Sequence, residues 1–560
     1  MRGAGRARAA GFFSDRAPPR VELLVRDGVQ DPTSIAVVLA SVLSAFAQPE
    51  RVALGGGRVV QAPARPAAGS PAQNAPAPSL EELEQQLREP KPEKRRAAVR
   101  ALVRLGRAEA WRLVFAALGD ADSGVADEAQ LALSGLLEPK LWRELHGRAG
   151  LESKDERVAA RVAEALGRAQ AGCEADELAK LLGAGDGGRK RLLAWSAERL
   201  ARDGRLTGDT ERLQAALARN ASSSSDVGAS CAALVALAEL RGSTALRLAL
   251  DALRSNSSER RSAALLALVE LQAAETFAAA VKLSADADAR VRLQAFDALD
   301  ALGTQAAFLA LVARLGAEPQ LRLRWRIVDL LQSASGLKHR LDPRPWKLWI
   351  ESLPTEGAIV RPRKGADEPS SGATRTPFSG LPLISDRVAY LFDFSGSMWT
   401  PLADGRIPKD IVSEKLRAAL EALPPETEFN LIPFTNVPLP WREHAEAASP
   451  KNVRAALEFF LACRERGKGN FLDAALLAAN DPRIDTICVL TDGVPTGGTH
   501  SDMDLIAPLL IEATRFRRVV VDSILVDAPG PAVRRWAELS RRTGGRSLVV
   551  ELKPTPTEGK

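Results

Sequence analysis

From Ser79 to about Leu353, apolar residues recur at i, i+3, i+4 and i+7, broken by short Gly, Asp and Ser turns. That period predicts consecutive amphipathic helices. One pattern repeats through the region: a charged or small turn, an apolar position, then Ala-x-x-Ala-Leu or a close variant. It ends at Leu102, Leu133, Leu166, Leu200, Leu237, Leu268, Leu299 and Leu331, a spacing of 31 to 37 residues. A period this regular predicts an all-α solenoid of helix pairs, in which no pair buries its apolar stripe until a neighbour stacks on it. From about Leu381 the pattern changes to apolar strand runs alternating with amphipathic helices, the signature of an α/β, doubly wound, mainly parallel sheet. The strands are expected at Arg387 to Phe392, Glu428 to Pro433, Thr486 to Thr491, Val519 to Val526 and Ser547 to Glu551, with helices in the intervals.

The pattern divides the chain into a helical array at 79–353 and an α/β domain at 381–553, separated by a Gly-, Pro- and Ser-rich linker at 354–380. Asp342-Pro343-Arg344-Pro345-Trp346-Lys347-Leu348-Trp349 closes the array, with Trp346 and Trp349 on one helical face as a cap. Residues 48–78 form a Pro- and Ala-rich spacer that can neither pack a core nor hold a helix. Ahead of it, Ile35 to Phe46 is an apolar run of signal-peptide length, ending in the small-x-small triplet Ala45-Phe46-Ala47. Export with cleavage after Ala47 is therefore expected, and the mature chain has no stable transmembrane anchor, since no other run approaches the ~18 apolar residues a span needs. The Arg- and Pro-containing stretch before the run is long for a leader, which points to a start near Val25 or Val29 downstream of Met1 and assigns 1–47 to the signal region. The alternative for the run is a short buried or anchoring helix.

Composition narrows the picture less. The formal charge is only +6, with Arg interleaved among Asp and Glu, so nucleic acid is not an expected partner. The Ala and Arg bias is what a GC-rich bacterial genome gives. Cys173, Cys231, Cys463 and Cys488 show no C-x-x-C spacing, so neither a zinc site nor a dense disulfide framework is implied. Cys463 and Cys488 share a domain and could pair, though their apolar contexts favour buried thiols.

Two loops of the α/β domain carry the candidate chemistry. The strand VAYLF runs into Asp393-Phe394-Ser395-Gly396-Ser397, and a second strand ends in Leu490-Thr491-Asp492-Gly493-Val494-Pro495-Thr496. Alternate residues on a turn leaving a strand aim one carboxylate and two hydroxyls at a common point, a hard-oxygen set suited to Mg²⁺, with Mn²⁺ or Ca²⁺ as alternatives. D-x-S-x-S is similar to the metal-ion-dependent adhesion site (MIDAS) of von Willebrand factor A (vWA) domains, and the second segment resembles the L-T-D-G-x-P-T of bacterial vWA domains. The helical repeats resemble HEAT repeats, most closely from Asp286 to Gly303. The resemblance implies a Rossmann-like vWA fold, metal ligation by Asp393, Ser395, Ser397 and, usually through water, Asp492, and one open coordination position that an Asp or Glu of a partner protein completes.

One part of the family pattern is missing. The expected Thr between the motifs is replaced by Gly469 in Gly467-Lys468-Gly469-Asn470; Asn470 or water would have to stand in. Specificity is expected from the loops Trp399 to Asp404 and Thr496 to Asp504. There, Asp502 and Asp504 read as the start of a helix, and His500 as an exposed loop residue or a partner contact. With His146, His339, His444 and His500 outside any H-E-x-x-H or G-x-S-x-G context, no hydrolase or phosphate loop can be assembled, and a non-enzymatic binding protein is expected. The competing reading makes the array the binding surface and the vWA domain a structural partner.

Overall fold

The computed structural model describes residues 78–550 apart from 224, 356, 358–375, 379–380, 384, 402–404 and 406. The signal region and the first spacer therefore lie outside the described residues.

Seventeen helices run from Leu80–Gln86 to Pro343–Glu351 among the described residues of the array. Each of the eight repeat-ending leucines is at most 1% exposed, and the helices that carry them pack successively on one another, from Pro92–Leu105 through to Leu321–Ser335. The turns preceding these motif helices have a physical role. Asp122, Asp155, Asp186, Asp226, Ser257 and Asp288 each accept a first-turn backbone N–H, satisfying donors that a helix start leaves unpaired. The regularity breaks once among the described residues of the array. Two-residue strands β1 (Cys173–Glu174) and β2 (Leu206–Thr207) pair in parallel, inside the two longest repeats, those ending at Leu200 and Leu237. At the far end Trp346 is fully buried, Trp349 packs 5.8 Å from Phe308, and together they cover the last helix pair.

A short antiparallel pair, β3 (Thr376–Phe378) and β4 (Leu381–Leu383), precedes the α/β domain. Its sheet comprises β5 (Arg387–Asp393), β6 (Glu428–Phe434), β7 (Glu446–Ala447), β8 (Thr486–Thr491), β9 (Val520–Val526) and β10 (Ser547–Val550), in the order β10-β9-β8-β5-β6-β7. All neighbours are parallel except the edge strand β7, which the sequence reading did not anticipate because two residues carry no period. Strand alternation splits the core. Val388, Tyr390 and Phe392 face the helices Pro408–Glu421 and Pro450–Ala462. Ala389 and Leu391 face Phe471–Asn480, Met503–Thr514 and Gly530–Thr543. The central strands β5 and β8 thus send their helices to opposite faces, and the crevice at such a switch point is where open α/β sheets bind ligands. All four cysteines are buried free thiols, so Cys463 and Cys488 do not pair.

The two regions touch extensively. The motif-helix face of the array lies along the Met503–Thr514 helix and the loop that follows it. Arg515 makes a two-pronged ion pair with Glu198 at 2.6 and 2.9 Å, Arg517 meets Glu259 at 3.2 Å, Arg518 pairs with Asp297, and Arg322 pairs with Asp485 at 2.9 Å. Phe516, 3% exposed, joins the apolar core of the array. The linker does not leave the two regions independent.

Candidate functional site

The first motif is built by alternation. Asp393 closes β5, and Phe394 and Met398 are buried in the core below; Phe394 packs 5.2 Å from Phe460 and 5.7 Å from Trp399. Anchoring those apolar side chains turns Asp393, Ser395 and Ser397 toward the end of the sheet. The Ser395 backbone N–H donates to Asp393 Oδ1 at 2.8 Å, and the Ser395 and Ser397 hydroxyl oxygens are 3.1 Å apart. Because Phe392 is in register with Leu490, the second motif emerges beside the first, and the Thr491 hydroxyl donates to Asp393 Oδ2 at 2.7 Å.

The third loop closes on the same point. Gly396 N–H donates to Gly467 O at 3.3 Å, Arg466 stacks over Trp399 at 4.4 Å, and a Cβ on Gly469 would lie 3.4 Å from both Asp393 carboxylate oxygens. Gly469 N–H donates to Thr496 Oγ1 at 2.8 Å, tying the third loop to the second. Asn470 is used elsewhere, which removes it as the substitute for the missing Thr. Its Oδ1 caps the Phe471–Asn480 helix, and its amide donates to Asn436 O at 3.0 Å and Asp473 Oδ2 at 2.8 Å.

Asp393 is 1% exposed; burial, together with the like charge of Asp492, pushes its carboxyl up to about 6 against the opposing hydrogen bonds from Thr491 and Ser395. Among the described residues, the groups that act most strongly on Asp393 are the Asp492 carboxylate, Thr491 and Ser395, none of them a cation. Two carboxylates and two hydroxyls, all hard oxygen donors with an uncompensated negative charge, fit a divalent cation of the Mg²⁺ class.

The loop beyond the second motif differs from its sequence reading. Asp502 caps the Met503–Thr514 helix by accepting from Asp504 N–H, but His500 is neither an exposed loop residue nor a partner contact. It is 6% exposed, and its Nδ1 lies 2.8 Å from Asp127 Oδ1 of the array. Asp127 also accepts from Arg161 at 2.7 Å and from the backbone N–H groups of Ser501 and Asp502 at 2.7 and 2.9 Å, while Arg161 donates to Thr499 O at 2.6 Å. Burial pushes the Asp127 carboxyl up, but His500 and Arg161 outweigh it and bring it down to about 2. Lys468 of the third loop pairs with Asp122 at 2.9 Å. Two of the three loops around Asp393 are thus braced by the array. A lone Asp inside an Ala-rich repeat gave no signal of this in the sequence.

Residues 386–547 match the family model described as von Willebrand factor type A domain. Human inter-alpha-trypsin inhibitor heavy chain H4 is 32% identical over 131 residues, which cover 21% of this chain and 13% of that protein. The chain therefore spans only about an eighth of the length of that relative. Among solved structures, the SpRpn10 VWA domain aligns with 13% identity and a TM-score of 0.24, covering 30% of this chain and 89% of that one. The complex of CpcE and CpcF of phycocyanin lyase from Nostoc sp. PCC7120 aligns with 19% identity and a TM-score of 0.23, covering 51% and 96%. Residues 386–547 are a von Willebrand factor type A domain, preceded by a helical-repeat region.

Proposed function

We propose that this chain is an exported, non-enzymatic protein that captures a partner protein through a divalent metal, Mg²⁺ with Mn²⁺ or Ca²⁺ as alternatives, held at the Asp393 end of the vWA domain. The observation that carries the reading is the convergence of three loops on a buried carboxylate that a second carboxylate, Asp492, acts on. Asp393, Ser395 and Ser397 would hold the metal, with Asp492 on the adjoining strand end and water in the place that Gly469 leaves open. When bound, the metal supplies a Lewis-acidic position for an Asp or Glu carboxylate of the partner. The chain's own residues do the rest. Thr491 orients Asp393, and the braces Lys468–Asp122 and His500–Asp127 fix the rim. Val437 and Val494, 56% and 47% exposed, offer apolar contact around the rim.

The array is better read as a scaffold for this site than as the capture surface. A solenoid would offer a partner its motif-helix face, and here that face is paired from Asp127 to Arg322 with the vWA domain. Likeness to part of an inter-alpha-trypsin inhibitor heavy chain supports an interaction module and no more. Export rests on the Ile35 to Phe46 run. Expression in a bacterial host followed by N-terminal sequencing of the mature chain should read Gln48; an uncleaved chain retained in the cytoplasm removes that part. For the site, thermal unfolding of the full chain is followed after EDTA treatment and again with added Mg²⁺ or Mn²⁺. Stabilisation of the parent that is absent from Asp393→Ala is expected, and equal behaviour of the two chains removes the metal reading.

A further inference from the structure

Beside the β1–β2 pair of the array, three metal-ligating side chains that are dispersed in sequence come together. His146 ends the helix Pro139–His146, Cys173 opens β1, and Glu177 lies in the first turn of the helix Ala175–Ala184. Their ligand atoms all lie within 4.8 Å of one another, with Glu177 Oε2 3.7 Å from His146 Nδ1. Tetrahedral zinc, with bonds of about 2.0–2.3 Å, sets its ligand atoms about 3.5 Å apart. Side-chain rotation of about an ångström closes the set.

Three further features single out this cluster. Arg143 Nε lies 3.3 Å from Glu177 Oε1, leaving Oε2 turned to the imidazole; an outer partner that orients a ligating carboxylate is usual at metal sites. A cavity of about 110 Å³ opens on the three residues between Trp142, Leu166 and Thr207. The β1–β2 pairing that sets Cys173 there is costly in sequence terms. Gly172 sits at φ +74°, and a Cβ on it would be 2.4 Å from Arg205 O.

We propose that His146, Cys173 and Glu177 form an open transition-metal site for Zn²⁺, with three protein ligands and a fourth position facing the cavity. The thiolate and imidazole exclude the Mg²⁺ class and select a softer ion. Burial, joined by the charges of Glu177 and Glu174, pushes the Cys173 thiol up to about 12. Metal binding breaks the Cys173 S–H bond, forms a metal–sulfur bond and releases the proton to solvent. This site is independent of the one at Asp393, which contains no sulfur or nitrogen donor.

The test is titration of the EDTA-treated full chain with Co²⁺, followed by the near-ultraviolet thiolate-to-cobalt charge-transfer band. A band that saturates at one Co²⁺ per chain and is bleached by Zn²⁺ is expected. It should vanish in Cys173→Ser, weaken at least ~10-fold in affinity in His146→Gln, and persist unchanged in Asp393→Ala. Thermal unfolding of the metal-free variants identifies any that fail to fold, and His146→Gln, at the partly exposed edge of the cluster, keeps the test decisive if Cys173→Ser does fail. Absence of the band in the parent, or its survival in both variants, overturns the proposal.

Discussion

Asp127 and Asp393 are two carboxylates with nearly identical burial, each 1% exposed and each accepting a backbone N–H, yet they are driven in opposite directions. Asp127, with Arg161 and His500 against it, is held down to about 2. Asp393, with hydroxyls and a second carboxylate for company, is pushed up to about 6. Burial raises both, so the difference lies in the neighbours: His500 and Arg161 lower Asp127, whereas the charge that acts on Asp393 is the carboxylate of Asp492. The first is a joint between two regions, and the second is the carboxylate at which we propose that a cation binds.

The largest effect should come from breaking the joint. Asp127→Ala leaves Arg161 buried without its counter-charge and the Ser501 and Asp502 N–H groups without an acceptor, and should cost about 3–5 kcal/mol. Chemical denaturation of the full chain measures this, and hydrogen exchange at 499–504 should rise with it. A loss under about 0.5 kcal/mol, the size of an ordinary surface change, would mean that the joint is not structural. Asp393 should behave in the opposite way. Asp393→Ala removes an uncompensated buried charge, so the metal-free chain should lose little or gain. What it should lose is the ~2.7 kcal/mol that Mg²⁺ at a hundred times its dissociation constant adds to the parent. A variant that is severely destabilised without metal would contradict the contrast.

Of this pair, only Asp393 lies in a stretch that the sequence singles out. Asp393, Ser395, Ser397 and Asp492 lie in short motifs at strand ends, and strand runs such as Thr486 to Thr491 announce themselves by continuous apolar character. Repeat boundaries were legible for the same reason, because every motif leucine answers to one local period. The joint was not. Asp127 and His500 are 373 residues apart, and pairing across that distance is set by how the array packs on the vWA domain, which no local pattern encodes. His500 read as a surface residue because its loop is polar, and the polarity is there to meet Asp127 and Arg161. The same limit hid the cluster of His146, Cys173 and Glu177, whose ligands come from three elements and show no motif spacing.

Acid sharpens the contrast next. A carboxylate whose pKa falls on folding contributes stability that is present above its unfolded value near 4 and is lost as pH drops toward its folded value. For Asp127, held at about 2, a contribution of about 2 kcal/mol should fade between roughly pH 4 and pH 2. Asp127→Asn should remove that share of the slope in urea denaturation across this range. An unchanged slope would mean that Arg161 and His500 do not stabilise the ionised form.

The smallest effect asks whether the Asp393 site is as complete as this chain can make it. Gly469 is not among the glycines with positive φ, and a Cβ there meets Asp393 only at ordinary contact distance, so Gly469→Thr should be accommodated without backbone strain. It would set a third hydroxyl beside the two already 3.1 Å apart. Replacing one water by a fixed protein oxygen is worth about 1 kcal/mol, or roughly five-fold in Mg²⁺ affinity. Calorimetric titration of the full chain measures it. Tighter binding would mean that Gly469 holds the site weak by omission of a ligand. Unchanged or weaker binding would mean that the position is committed to the close packing of the third loop against Asp393, and that the Thr496 hydroxyl, bonded to Gly469 N–H, already does there what a threonine would.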